Sequence, residues 1–232
     1  MNPLELIDGG PIPTLGLAAF VSDSIENTKA AIKERLNMGL RYFEIAELFC
    51  NGHVIYEVLK ECGIPRSELY IALKIWPKNR SPDALFLSCK KLIETIGLDY
   101  VDLIMVHAPI DVENRFDQWK SLEQLKDLNL VNSLGLSNIS LVQLMTILKD
   151  YDKSPSVLEM EVSPFSQQRD LVDFCMGAQI IVITNEPLAK GLRHSNATLK
   201  AIARKLETTV EKVLVRWATT KGLVALIPSD NA

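Results

Sequence analysis

The sequence predicts an α/β protein: a parallel (β/α)8 TIM barrel preceded by an N-terminal β-hairpin. Eight short apolar runs, rich in valine and isoleucine, alternate with amphipathic stretches of helical period. The runs are continuous, as is typical of strands that are buried on both faces. The length of 232 residues is close to the roughly 250 of one such barrel. Strands that alternate with helices in this way indicate a parallel sheet.

The elements follow in chain order. Leu4–Ile7 and Ile12, on either side of Asp8-Gly9-Gly10, predict the hairpin. Ser24 is expected to cap a first helix that begins at Ile25. The eight strands are expected at Thr14–Leu17, Leu40–Ile45, Leu69–Lys74, Val101–His107, Val131–Leu136, Val157–Val162, Ile180–Thr184 and Leu223–Ile227.

No linker or low-complexity segment interrupts this pattern, so residues 1–232 are predicted to form a single domain. The sequence stops soon after the eighth strand, at Pro228-Ser229-Asp230-Asn231-Ala232, and the last helix is therefore expected to be missing. An apolar flank is then left open. We expect a protein partner or a second copy of the chain to cover it, unless the sequence is truncated.

The amino-acid composition limits the classes of function that are expected for this protein. The net charge of −4 gives no electrostatic basis for binding nucleic acid or an anionic membrane. No secretory signal and no apolar run of about 18 residues is present. The four cysteines are dispersed, without metal-ligand spacing, which favours reduced thiols, a cytoplasmic location and no metal site.

Three ionisable residues are expected at the C-terminal ends of strands, where barrels of this class place their active sites. They are Glu44, Lys74 and His107. A lysine and a carboxylate buried on adjacent strands shift each other's pKa and orient a neighbouring group. A structural ion pair that closes the end of the barrel is the alternative, and the residues alone leave both readings open.

Several segments resemble motifs of the aldo-keto reductase superfamily in order and spacing. They are Gly39–Asn51 (G-x-R-x-(I/F)-D-T-A-x-x-Y-x-N), Leu73–Trp76 (T-K-x-W), Asp99–Leu103 with His107-Ala108-Pro109 (L-D-Y-(V/I)-D-L…H-W-P), Gly135–Asn138 (G-V-S-N) and Glu161–Phe165 (E-x-x-P-(F/Y)). The resemblance implies a TIM barrel that reduces aldehydes and ketones with NADPH through an aspartate, a tyrosine, a lysine and a histidine.

Carried over by position, the resemblance keeps the lysine as Lys74 and the histidine as His107. The aspartate becomes Glu44, which retains the charge. The tyrosine, which is the family's proton donor, becomes Phe49. A phenyl ring cannot act as a general acid, a role worth about 10²–10⁴ in rate. Tyr42 is expected deeper in the barrel and is not a good replacement.

The cofactor positions implied by the resemblance are also altered. Ser137-Asn138 matches the pair that hydrogen-bonds the nicotinamide carboxamide, although a helix cap before Leu141 is an alternative reading. A glutamine is replaced by Glu159, and a stacking aromatic with its serine by Asn185-Glu186. Pro228-Ser229 lacks the phosphate-binding lysine. We therefore expect no NADPH binding, or weak binding.

Three functions follow from these differences. The leading expectation is that carbonyl reduction has been lost and that the chain acts as a binding, regulatory or interaction module. The second is a residual NAD(P)H-dependent oxidoreductase in which water or His107 donates the proton. The third is a non-redox isomerase or lyase that uses Glu44, Lys74 and His107. Trp76 and Phe49 would line an apolar pocket entrance, which suits a small apolar ligand.

Overall fold

The computed structural model describes residues 2–19, 24–49, 52–77, 81–107, 115–150 and 153–228, with the backbone alone at Phe49, Arg115 and Asp150. Within these residues the chain forms ten strands and eight α-helices. The strands are β1 Leu4–Glu5, β2 Pro11–Ile12, β3 Leu15–Ala19, β4 Tyr42–Ala46, β5 Tyr70–Ile75, β6 Val101–His107, β7 Val131–Ser137, β8 Val157–Met160, β9 Ile181–Thr184 and β10 Val224–Pro228. The helices are α1 Ile25–Asn37, α2 Gly52–Glu61, α3 Pro82–Ile96, α4 Arg115–Asp127, α5 Leu141–Asp150, α6 Arg169–Gly177, α7 Ala197–Lys205 and α8 Val210–Thr220.

Strands β3 to β10 close into a parallel barrel, since β10 pairs with both β9 and β3. The predicted TIM barrel is confirmed, and so is the small antiparallel hairpin β1–β2 that precedes it. Most predicted strands differ from the observed ones by one or two residues at an end. Strand β8, for example, ends at Met160 instead of Val162, because the backbone of Val162 bonds the Thr184 hydroxyl instead of backbone groups of a neighbouring strand.

The core has two layers, because successive strand residues point alternately into and out of the barrel. Outward-facing residues such as Phe43, Ile71 and Ile104 pack under the helices. Inward-facing residues fill the lower barrel, among them Tyr42 and Met105. Because side chains fill the lower barrel, an active site can form only at the C-terminal ends of the strands.

The hairpin closes the bottom of the barrel, where Leu6 and Ile12 pack against Tyr42 and Tyr70. Gly16 makes this packing fit, because a Cβ on that residue would lie 2.5 Å from a ring carbon of Tyr42. The lower end is therefore a packed floor.

Capping residues determine where the helices begin and end. The Ser24 side chain accepts a hydrogen bond of 3.0 Å from the Asn27 backbone, which confirms the predicted cap of α1. Helix α3 begins after Ser81, which accepts from Ala84 N, and ends at Gly97 in the left-handed conformation that glycine adopts readily (φ 90°). These caps satisfy backbone groups that the helices leave unpaired.

A groove of about 1210 Å³ runs along the outer face of β10 and β3, between α1 and α8. Apolar side chains line much of it, including Leu15, Val213 and Ile227. It lies at the flank where the sequence predicts an uncovered surface. A partner or second copy on this groove stays a prediction.

In the part of the chain that the structure describes, no helix is long and apolar enough to cross a membrane.

Candidate active site

The site lies at the C-terminal end of the barrel strands, here called the mouth. Inward-facing residues near the ends of adjacent strands meet there because side chains alternate along each strand. Glu44 comes from β4, Lys74 from β5, His107 from β6 and Ser137 from β7. Glu159 of β8 completes the set. The sequence prediction that Glu44, Lys74 and His107 share one end of the barrel agrees with this geometry.

Lys74 is held by two carboxyl groups. Its Nζ donates to Glu44 Oε1 at 2.6 Å and to Glu159 Oε1 at 3.0 Å. The two glutamates, here called the carboxyl pair, have side chains that are 3% and 0% exposed, whereas the Lys74 side chain is 19% exposed. Of these three groups, Lys74 is therefore the one that a ligand in the mouth can reach.

The two carboxyls titrate in opposite directions. Burial and the nearby Glu159 charge raise the pKa of Glu44 well above its usual value, although the Lys74 charge opposes this. Burial also acts to raise the pKa of Glu159, but the Lys74 charge and hydrogen bonds from Glu44, Lys74 and Asn185 lower it. Burial disfavours the charge on Lys74, yet attraction to Glu44 and Glu159 outweighs it and raises the Lys74 pKa. Burial and the nearby Glu159 charge therefore favour the protonated form of Glu44, whereas Lys74 and the hydrogen bonds favour the ionised form of Glu159.

Ser137 links this cluster to His107. The Ser137 hydroxyl donates to Glu159 Oε1 at 3.3 Å, because an ionised carboxylate can only accept. The same hydroxyl lies 3.2 Å from His107 Nδ1, so it accepts from an N–H at Nδ1. In neutral His107 this tautomer leaves Nε2 as an acceptor.

His107 is neutral for two physical reasons. Burial lowers its pKa, and the Lys74 charge lowers it further, while Glu159 opposes them. Its ring stacks on Trp76 with centroids 4.6 Å apart and planes tilted by 34°. Trp76 is half-buried, as expected for a residue that lines the pocket entrance.

The remaining predicted residues occupy different places. Asn138 is exposed, has a positive φ of 58° and lines a cleft of about 690 Å³ between the segments that follow β7 and β8. The Asn185 amide donates to Glu159 Oε1 at 2.8 Å. Glu186 is half-buried, and its backbone N–H donates to Thr184 at 3.4 Å. The side chain of Phe49 lies outside the described residues.

One alternative reading of the sequence is not supported. Ser137 is turned into the barrel and does not cap α5. The capping residue is Ser140, whose hydroxyl accepts from Gln143 N at 3.3 Å and whose own N–H donates to the Gln143 side chain at 2.8 Å. Because Ser140 caps α5, the Ser137 hydroxyl is not needed there and bonds Glu159 and His107 at the mouth.

The main feature that the sequence did not reveal is the second carboxylate on Lys74. Glu159 is predicted as a cofactor contact, whereas the structure makes it an ion-pair partner of Lys74. The available signal is position: Glu159 is a charged residue in an otherwise apolar strand, at the level of Ser137. Among the described residues, no group of three histidine, cysteine, aspartate or glutamate side chains is arranged to hold a metal ion.

The comparisons with known proteins agree with this geometry. The sequence model of the Aldo/keto reductase family matches residues 14–231. The chain belongs to the aldo/keto reductase family. Glyoxal reductase of Bacillus subtilis is 29% identical, covering 97% of this chain and 81% of the relative. Methylglyoxal reductase of Escherichia coli O157:H7 is 30% identical, covering 97% and 82%.

Solved structures of the family superpose closely. An aldo/keto reductase from Brucella melitensis matches with a TM-score of 0.91 at 26% identity, covering 98% of this chain and 88% of that one. Aldose reductase from Schistosoma japonicum gives 0.90 at 26% identity, covering 98% and 82%. The fold around the mouth is therefore that of this family.

These comparisons correct the leading functional expectation. The interpretation as a non-reducing binding or regulatory module is wrong, because the relatives that match nearly the whole chain are named as reductases and nothing among the comparisons shows a loss of activity. That expectation rested on the replacement of the proton-donor tyrosine by Phe49 together with the altered cofactor positions. Lys74 remains at the mouth with two carboxyls behind it.

Proposed function

We propose that this chain is a carbonyl reductase that uses a nicotinamide dinucleotide to reduce small aldehydes or ketones. The observation that carries the proposal is the Lys74 ammonium, half-buried at the mouth and fixed by Glu44 and Glu159. A positive N–H donor aimed into a low-dielectric pocket stabilises the negative charge that develops on a carbonyl oxygen during reduction. The names of the glyoxal and methylglyoxal reductases support short aldehydes as substrates.

The residues present fit the nicotinamide end of such a cofactor. Glu159 only accepts, so it turns the Asn185 amide nitrogen toward itself and leaves Asn185 Oδ1 buried with no donor among the described groups. A carboxamide N–H would satisfy that oxygen. When bound, the reduced cofactor supplies the two electrons of the reaction.

The chain's own residues then divide the remaining work. Lys74 donates a hydrogen bond to the carbonyl oxygen and holds the proton that this oxygen takes up. The carboxyl pair keeps Lys74 charged and positioned. Trp76 and His107, stacked on each other, form one wall and exclude water from the reacting carbonyl.

The test is oxidation of NADPH or NADH, followed by absorbance, with glyoxal, methylglyoxal and larger aldehydes. Wild-type protein is expected to turn over at least one of them. Lys74→Met should lower kcat by about 10²–10⁴, the usual contribution of a general acid. Lys74→Arg keeps a positive charge beside both carboxyls but cannot release a proton, so it should fold and still be impaired.

Lys91→Met is the matched control, because Lys91 is an exposed lysine of α3, a helix on the outside of the barrel. It should retain wild-type kcat. Turnover of no carbonyl by the wild type with either cofactor, or full activity of both Lys74 variants, would refute the proposal.

We further propose that the protein works in the cytoplasm. Cys62, Cys89 and Cys175 are free thiols, which suits a reducing compartment. Cell fractionation that recovers the protein from a secreted or membrane fraction would contradict this location.

A further inference from the structure

We propose that Glu44 and Glu159 share one proton, and that this carboxyl pair reprotonates Lys74 after Lys74 has given a proton to the carbonyl oxygen. The inference rests on the proposed reductase function, because it assigns the source of the proton that carbonyl reduction consumes. In this proposal Lys74 and the carboxyl pair together take the proton-donor role that Phe49 cannot fill.

The balance of charge in the cluster favours one shared proton. Two carboxyls accept hydrogen bonds from one ammonium, at 2.6 and 3.0 Å, and both carboxyl side chains are almost completely buried. With both glutamates ionised, the buried cluster would carry an excess negative charge. Like charges this close in a desolvated site do not both ionise, so one proton stays with the pair. The cluster is then neutral overall.

The two outer oxygens of the carboxyl pair also favour a shared proton. Glu44 Oε2 and Glu159 Oε2 are both buried, and neither accepts from a donor among the described groups. Leaving two buried acceptors unsatisfied is costly. A proton held by the carboxyl pair turns one of these buried acceptors into a donor, which removes one unsatisfied acceptor from the cluster. In agreement, burial and Glu159 raise the pKa of Glu44, and a hydrogen bond from Glu44 lowers the pKa of Glu159.

Lys74 is the route by which this proton leaves the carboxyl pair. Glu44 and Glu159 are too buried to touch a substrate, whereas Lys74 contacts both of them and is partly exposed. His107 does not compete, because its Nδ1 proton is directed at Ser137 and its Nε2 carries a lone pair. The carboxyl pair therefore consists of positioning residues that act through Lys74.

The carbonyl carbon accepts a hydride from reduced nicotinamide dinucleotide, which is the reductant and is oxidised. An N–H bond of Lys74 breaks as the new O–H bond of the alcohol forms. The shared carboxyl proton moves to Nζ, and solvent returns one proton to the pair. Each turnover consumes one hydride and one proton.

Infrared spectroscopy of the cofactor-free protein at neutral pH tests the shared proton without any catalysis. The C=O stretch of a protonated carboxyl is expected in the wild type and should disappear in Glu44→Gln. It should also disappear in Glu159→Gln, because Glu44 then faces Lys74 alone and ionises. Glu57→Gln, at an exposed site on α2, is the control and should keep the band. Absence of the band in the wild type, or its persistence in Glu159→Gln, would overturn the proposal.

The pH profile of kcat tests the relay. Wild-type kcat should fall as pH rises through the raised pKa of Glu44, because the pair then loses its proton. Glu159→Gln should move this fall to lower pH, and Glu44→Gln should lower kcat about 10²-fold. Residues with a structural role alone would reduce kcat without moving the fall, and that result would overturn the relay. Absence of wild-type turnover overturns the proposed function and the relay with it, whereas turnover without the infrared band overturns the shared proton alone.

Discussion

Individual polar residues at the two ends of this barrel have different environments. At the mouth, Lys74 donates a hydrogen bond of 3.0 Å to Glu159 Oε1. At the floor, the Tyr42 hydroxyl is buried with no partner among the described groups, and burial raises its pKa so that it stays protonated. Tyr42 contributes packing there: its ring meets that of Tyr70 edge-on, with centroids 5.0 Å apart.

The substitution Tyr42→Phe separates the contribution of the Tyr42 ring from that of its hydroxyl. The variant keeps the ring contact and removes a hydroxyl whose burial without a partner costs about 1–3 kcal/mol. We expect the free energy of unfolding, measured by chemical denaturation, to stay the same or rise by about 1 kcal/mol. Because Tyr42 lies below the mouth, kcat should not change. A large loss of kcat in a folded Tyr42→Phe protein would instead identify this hydroxyl as the missing proton donor.

The sequence predicted part of this residue pattern. Glu44, Lys74 and His107 could be placed at the mouth because each ends or nearly ends an apolar run. The ion pair between Lys74 and Glu159 could not be predicted, because β5 and β8 are not neighbours and their side chains meet only across the closed barrel. The tautomer of His107 likewise depends on Ser137, whose orientation follows from the register of β6 with β7.

Between elements, a clamp at the lower end ties β5 to β6. Arg66 donates to Asp102 Oδ2 at 2.7 Å and to the carbonyl oxygens of Leu69 and Tyr100 at 2.8 and 3.0 Å. Asp102 Oδ2 also accepts from Ile71 N at 2.8 Å. The clamp thus provides partners for backbone N–H and C=O groups that the pairing of β5 with β6 does not use.

Asp102→Ala should lower the free energy of unfolding by about 2–3 kcal/mol, because it removes the carboxylate that pairs with the partly buried Arg66 guanidinium and leaves the Ile71 N–H without its acceptor. Denaturant melts of wild type and variant provide the measurement. Glu61→Ala removes the exposed pair with Lys33 and serves as the control, with no measurable change expected. Equal effects of the two substitutions would contradict the clamp. The sequence did not predict it, since Asp102 reads as one polar residue in an apolar strand.

At the scale of the whole molecule, the carboxyl pair makes stability depend on pH in a distinctive way. In the unfolded chain Glu44 ionises near its ordinary pKa, whereas in the folded chain its pKa is raised by burial and by Glu159. Between these two values the folded protein binds the extra proton. The free energy of unfolding therefore falls as pH rises through this window, by up to about 1.4 kcal/mol per pH unit for one proton.

Glu44→Gln carries a permanently neutral side chain and should not show this slope. Denaturant melts at a series of pH values should give wild-type and Glu44→Gln curves that diverge as pH rises above the ordinary glutamate pKa, with the variant gaining relative stability. They should become parallel above the raised pKa of Glu44. Glu57→Gln, exposed on α2, should run parallel to the wild type throughout. Curves of wild type and Glu44→Gln that stay parallel across the whole range would show that Glu44 ionises as readily in the folded protein as in the unfolded one, and that Lys74 then faces two charged carboxylates.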